Sequence, residues 1–134
     1  MKVYKVVTLY GKKRVCLTFS SPTNTQLDNY MVVYTPHRWI TPYVGRVLCF
    51  GDLESARKFT REVVVNCEIW ECKAKRVSKI KKILNWGCWY YQPEAIQLFW
   101  EAFGKRKYID SLPYMPAPEG TIAAKSIKLE KKIF

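Results

Sequence analysis

Histidine is all but missing from this 134-residue chain, with His37 standing alone. A Ser-His-Asp or Cys-His arrangement would therefore have to be built on Thr35-Pro36-His37-Arg38-Trp39, with Cys49 or Cys88 as nucleophile. An ordinary surface histidine is the simpler reading. Acidic residues are scarce, 11 against 23 Lys plus Arg, and most sit beside basic residues or at helix starts, which leaves little for paired-carboxylate chemistry. The six glycines form neither a phosphate loop nor a dinucleotide-binding fingerprint, and no His-Glu-x-x-His pair exists. No apolar run approaches the roughly 18 to 20 residues a membrane helix needs. The first ten residues alternate instead of forming a signal-peptide core, so export by that route is not expected. Five cysteines, Cys16, Cys49, Cys67, Cys72 and Cys88, are an odd number at irregular spacing. That argues against a complete disulfide framework and for reduced thiols used as small buried hydrophobes. Cys67 and Cys72 would point to opposite faces of an extended strand, so neither a metal nor a cofactor is expected.

What is present is ample core material: 49% hydrophobic and 15% aromatic residues, enough to exclude wholesale disorder and to fill one domain spanning 1–134. Val3, Lys5, Val7 and Leu9 alternate with Tyr4, Val6, Thr8 and Tyr10. Gly11-Lys12-Lys13-Arg14 then turns the chain into a second strand, Val15 to Phe19. Ser20 to Asn29 has loop composition, and a third strand follows from Tyr30 to Thr35. Pro36 and Pro42 bracket an edge or loop excursion, because proline lacks an amide donor. Tyr43 to Phe50 resumes a strand.

Asp52 is placed to cap a helix over 52–63, with Leu53, Ala56, Phe59 and Val63 on its buried face and Arg57, Lys58 and Arg61 toward solvent. From Val64 to Val77, Trp70, Cys72 and Ala74 alternate with Glu71, Lys73 and Lys75, the pattern of a half-buried strand in mid-sheet. Lys79 to Leu84 fits either a strand or a short helix. After an aromatic loop, Asn85 to Tyr91, Pro93 and Gly104 frame a second helix over 93–103 with Ile96, Phe99, Trp100 and Phe103 along one stripe. Lys105-Arg106-Lys107 follows that stop. Thr121 to Ile133 closes the sequence as a strand with Ile127, Leu129 and Ile133 on one face. Together these describe an α+β fold: a mainly antiparallel sheet of about five or six strands with two helices on one face, and Leu53, Phe59, Trp70, Phe99 and Phe103 in the core.

Charge is unevenly placed. The net value is +12, and Lys73 to Lys82 holds six basic residues and no acid. Residues 1–50 hold seven basic residues against Asp28 alone, whereas 51–72 is net −2. Repulsion on this scale in a small domain is relieved by a polyanionic partner. Aromatic residues interleave with the charge, and aromatic faces stack on bases while Lys and Arg track phosphates. The residues so singled out for a nucleic acid or nucleotide ligand are Lys12, Lys13, Arg14, Arg38, Lys73, Lys75, Arg76, Lys79, Lys81 and Lys82, with Trp86 and Trp89 to stack. No RNA-recognition signature, basic zipper or zinc finger accompanies them.

Val3-Tyr4-Lys5-Val6-Val7, the Phe50-Gly51-Asp52-Leu53-Glu54-Ser55-Ala56-Arg57-Lys58-Phe59 stretch, Ile69-Trp70-Glu71-Cys72, and Gly120-Thr121-Ile122 with Ile127-Lys128-Leu129 resemble small uncharacterised phage- and virus-encoded proteins. That resemblance implies an accessory viral protein that acts by binding host or viral components; the reduced cysteines point to a cytoplasmic location, in the host cell if viral. A strand ending in Phe, a short helix with Ala and Phe and a further strand are also similar to part of ADP-ribosyltransferase-like folds, although no glutamate stands in a matching catalytic motif. The expected function is thus a non-enzymatic basic protein engaging a phosphate-rich ligand, single-stranded nucleic acid or a nucleotide signal. The alternatives are a transferase of that kind and an inhibitor that covers an acidic protein surface.

Overall fold

A computed structural model describes residues 1–10, 13–15, 32–62, 66–84, 93–109, 112 and 114–134. The expectations for Lys12, Cys16, Trp86, Cys88 and Trp89, for Val63, for the Asn85 to Tyr91 loop, for most of the Val15 to Phe19 strand and for the first two residues of the Tyr30 to Thr35 strand lie outside these residues. The described chain runs β1 (Lys2–Tyr10), β2 (Lys13–Val15), β3 (Val33–Tyr34), β4 (Trp39–Ile40), β5 (Val47–Phe50), α1 (Leu53–Glu62), β6 (Cys67–Lys79), β7 (Lys82–Leu84), α2 (Pro93–Gly104), β8 (Tyr114–Pro116) and β9 (Thr121–Lys132). The fold is α+β and mostly antiparallel. More strands are present than the five or six expected, because several span only two or three residues and are too short to show alternation.

The strand β6 lies mid-sheet as its alternation requires, pairing with β1 over Cys67 to Lys73 and with β9 over Trp70 to Lys79. The outer edges of β1 and β9 are bridged by β5, through Tyr4 opposite Phe50 and Val47 to Phe50 opposite Ala124 to Thr121. The ring β1-β6-β9-β5 closes a small barrel. Val3, Val7, Val47, Cys49, Trp70, Cys72, Ala74, Ala124, Ile127 and Leu129 fill it, and Tyr34 joins them from β3. Four strands enclose little space, so small alanine and cysteine side chains share the interior with larger ones.

Closure also changes where the helices go. On the outer wall α1 buries Ala56 and Phe59 against Val6, Phe50 and Ile69, while α2 buries Ile96 and Phe99 against Ala123 and the β7 residues Ile83 and Leu84. These are separate apolar clusters, where a single helical layer was expected. Leu53 and Phe103 pack at the margins of the clusters instead of at their centres. Asp52 caps α1 as anticipated, its Oδ1 accepting from the Ser55 N–H at 2.8 Å. At the other end of the chain, pairing slips so that Glu71 opposes Lys131 while Cys72 opposes Leu129. This bulge at Glu130 reverses the strand's faces, so Ile127 and Leu129 enter the barrel but Ile133 packs outside it near Ile69.

Candidate functional site

The cations selected from the sequence fall into several different environments. Arg14 belongs to β2, not to the hairpin turn, and its Nε donates to Glu68 Oε1 at 2.8 Å while its guanidinium lies 5.1 Å from the Trp70 ring centre. Trp70 Nε1 donates to the same oxygen at 3.0 Å, and Lys132 Nζ reaches Glu68 Oε2 at 3.0 Å. Burial pushes the Glu68 carboxyl up, but hydrogen bonds from Trp70, Lys132 and Arg14 outweigh it and hold the group below its ordinary value. Arg14 is thus one strut of a structural lattice. Lys13 is in the β1-β2 ladder opposite Tyr10.

Lys73 is similarly engaged, its Nζ 3.6 Å from Glu130 Oε1, with Lys128 Nζ 3.2 Å from the same atom. The Lys128 hydrogen bond is the main reason the Glu130 carboxyl sits below its usual value. Lys75 Nζ lies 4.1 Å from the centre of the Trp39 ring on the edge strand β4, and Lys128 Nζ lies 5.4 Å from it. Arg38 is exposed in the turn before Trp39, its N–H donating to Thr35 O at 3.3 Å. A depression of about 500 Å³ beside Trp39 is lined by Lys2 and Lys73 but also by Glu71 and Glu130, a mixed charge that does not favour anions.

The possible nucleophile Cys49 is buried inside the barrel, where desolvation pushes its thiol up to about 12, while His37 is exposed on the outside, its Nδ1 3.9 Å from Glu130. These two do not form a catalytic pair. Cys67 and Cys72 do face opposite sides of β6, the first toward the α1 cluster and the second into the barrel. Among the described residues no three His, Cys, Asp or Glu side chains cluster to hold a metal ion.

Lys79, Lys81 and Lys82 meet different neighbours. Where β6 ends, Ile80 turns inward and the chain enters β7, whose pairing with β8 places Leu84 opposite Tyr114 and Lys82 opposite Pro116. Apolar Ile80, Ile83 and Leu84 anchor this corner under α2, leaving Lys81 and Lys82 exposed. The end of α2 brings further cations. Gly104 was expected just past the helix, yet it is the last helical residue, and Arg106 takes the left-handed position at φ 56°. The Lys107 N–H donates to Ala102 O at 2.9 Å and the Arg106 N–H to Phe103 O at 3.1 Å, the paired closure of a Schellman motif.

Between the two corners lies a pocket of about 440 Å³ lined by Lys79, Ile80, Lys81, Lys82, Phe99, Phe103, Arg106, Lys107, Tyr108 and Tyr114. Its aromatic wall is ordered by ring contacts: Tyr108 meets Tyr114 edge to face at 5.3 Å, and Phe99 lies 6.0 Å from Tyr114. The Tyr114 hydroxyl accepts from the Ile109 N–H at 3.1 Å, and Lys82 Nζ lies 5.0 Å from the Tyr108 ring centre. Among the described residues no acid lines the pocket, and none of its five cations is ion-paired. At a separation of roughly 10 Å two like charges repel by about 0.4 kcal/mol in a water-like dielectric, a cost that a bound anion removes.

Three of the five cations of this site, Lys79, Lys81 and Lys82, come from the basic run read in the sequence. Arg106, Lys107, Tyr108 and Tyr114 were not selected, although the Lys105-Arg106-Lys107 triplet was a visible signal; what was missing was the tertiary contact that carries it to Lys79. Comparison with protein-family models, curated proteins and solved structures finds no match to this chain.

Proposed function

We propose that this protein binds a phosphate-bearing nucleotide unit, free or as part of a single strand, in the pocket between the β6-β7 corner and the end of α2. One observation carries the reading: five cations, Lys79, Lys81, Lys82, Arg106 and Lys107, surround an aromatic-walled cavity that no carboxylate of the described residues lines. Lys and Arg meet phosphate oxygens, Arg in a fork that matches two of them at once, while an aromatic wall suits a base of any identity. A volume near 440 Å³ is within the usual range for small-ligand sites and accommodates one nucleotide. None of these residues forms a nucleophile with an adjacent base, so the chemistry supported is binding.

Isothermal calorimetry with a nucleoside monophosphate, and fluorescence anisotropy with short single-stranded RNA and DNA, test the reading. Affinity for a strand should fall linearly with log salt concentration, with a slope near −0.7 per phosphate contacted. Changing Lys81 and Arg106 together to Glu should weaken binding by about tenfold or more without unfolding the chain, since both side chains are exposed. Absence of binding to every nucleotide and polynucleotide at low salt would overturn it, and salt-dependent capture of an acidic protein alone would point instead to an interaction factor.

A further inference from the structure

The pocket does not end at Phe103. Arg46, from the bend before β5, lies with its guanidinium 5.7 Å from the Phe103 ring centre, and its Nη1 donates to Arg76 O at 2.9 Å and approaches Ser78 Oγ at 3.4 Å. Arg76 sits at φ 52°, a left-handed residue inside a strand. That kink leaves Lys75 and Arg76 consecutively exposed, where a regular strand would bury one of them. Lys75 in turn lies over Trp39, which is 39% exposed. A line of contacts therefore runs from the pocket through Phe103, Arg46 and Arg76 to the Lys75-Trp39 pair, and among the described residues none of the cations on it is ion-paired. Lys73, two residues earlier on β6, is ion-paired with Glu130 and ends the line. From Lys75 to Lys79 the chain spans at most about 13 Å at about 3.3 Å per residue.

The two ends of the line differ in charge density. The outer part offers scattered cations beside one exposed indole, which suits phosphodiesters that each carry one negative charge. Five cations around a single cavity suit a denser anion, and a phosphomonoester carries about −1.5 to −2 with three acceptor oxygens. We propose that the site takes the end of a single-stranded nucleic acid: the terminal phosphate and its nucleotide occupy the pocket, and the adjoining nucleotides run along Arg46, Arg76 and Lys75 with a base stacked on Trp39. This rests on reading the pocket as a phosphate site. It adds end recognition and a footprint of about four nucleotides, the short end for small single-strand-binding domains.

The test is anisotropy of internally labelled oligothymidylate of about 20 nucleotides in four forms of equal sequence: 5′-phosphorylated, 3′-phosphorylated, hydroxyl at both ends, and circular. One phosphorylated form should bind about tenfold or more tighter than the circle, and which one does so gives the strand's polarity. Trp39→Ala should weaken the phosphorylated strand but leave thymidine monophosphate binding unchanged. Lys75→Glu is a second variant with the same expected split, should Trp39→Ala disturb the edge strand. Equal binding of circle and linear strands, or variants without effect on the strand, would overturn end recognition while the pocket reading survives. Thymidine monophosphate binding with no strand binding would do the same. Failure of both mononucleotide and strand to bind would overturn the pocket reading itself.

Discussion

Glu68 is the residue on which one end of the barrel depends. Its side chain is 7% exposed and meets Arg14, Trp70 and Lys132. Glu68→Gln keeps the shape but leaves two cations without their counter-charge. Since Arg14 and Lys132 keep 29% and 53% of their side-chain exposure, water compensates in part, and the expected loss is about 2 kcal/mol in urea unfolding. The carboxyl is held lower in the folded chain than its ordinary 4.5, so unfolding takes up a proton in acid. The Glu68 contribution is therefore complete above pH 4.5 and disappears as pH falls through the lower folded value. The gap between wild type and Glu68→Gln should close over that acidic window; a constant gap would show that the charge is not what matters. Arg106 behaves differently, because a side chain at φ 56° carries a strain that glycine does not. Arg106→Gly should raise stability by up to about 1 kcal/mol while weakening nucleotide binding, and movement of both quantities in one direction would contradict its assignment to the site.

At the scale of elements, the two helices pack on the sheets through separate aromatic contacts. Phe59 lies 5.2 Å from Phe50 on β5, and Phe99 lies 6.0 Å from Tyr114 on β8. Both are buried, so Phe59→Ala and Phe99→Ala should each cost roughly 3–5 kcal/mol in chemical denaturation. Only Phe99→Ala should also impair ligand binding, since its ring lines the pocket. Gly45 makes a related point: at φ 74° it packs so closely on Trp100 that an added Cβ would overlap the indole. Gly45→Ala should destabilise the α2 side by about 2 kcal/mol or more, read by the same unfolding curves. Elements with local signals were legible in the sequence: Asp52 marks the start of α1, the Ile96-Phe99-Phe103 spacing marks α2, and the alternation through Trp70, Cys72 and Ala74 marks the central strand. Features that depend on distant partners were not. The bulge at Glu130 comes from pairing with β6, barrel closure rests on Tyr4 meeting Phe50, and the αL residue is Arg106 where the composition pointed to Gly104. The same reason divides the site. Lys79, Lys81 and Lys82 stand out as a charge run, but the carboxylates that engage Arg14 and Lys73 come from other strands, and so do not show in a local count.

For the whole molecule, the net charge of +12 is partitioned by the fold. The ion pairs gather the carboxylates Glu68, Glu71 and Glu130 along the first half of β6 and the strand end beside it. Among the described residues no ion pair compensates its second half or the end of α2. No helix among the described residues is long and apolar enough to cross a membrane. The most direct measurement is a two-dimensional ¹H–¹⁵N spectrum of the labelled protein titrated with thymidine monophosphate at low salt. The expected result is a set of saturable shifts centred on Lys79 to Lys82 and Arg106 to Tyr108, with Arg14 and Glu68 unmoved. Shifts centred on the Arg14-Glu68 end, or no shifts at any concentration, would contradict a nucleotide site in the basic aromatic pocket.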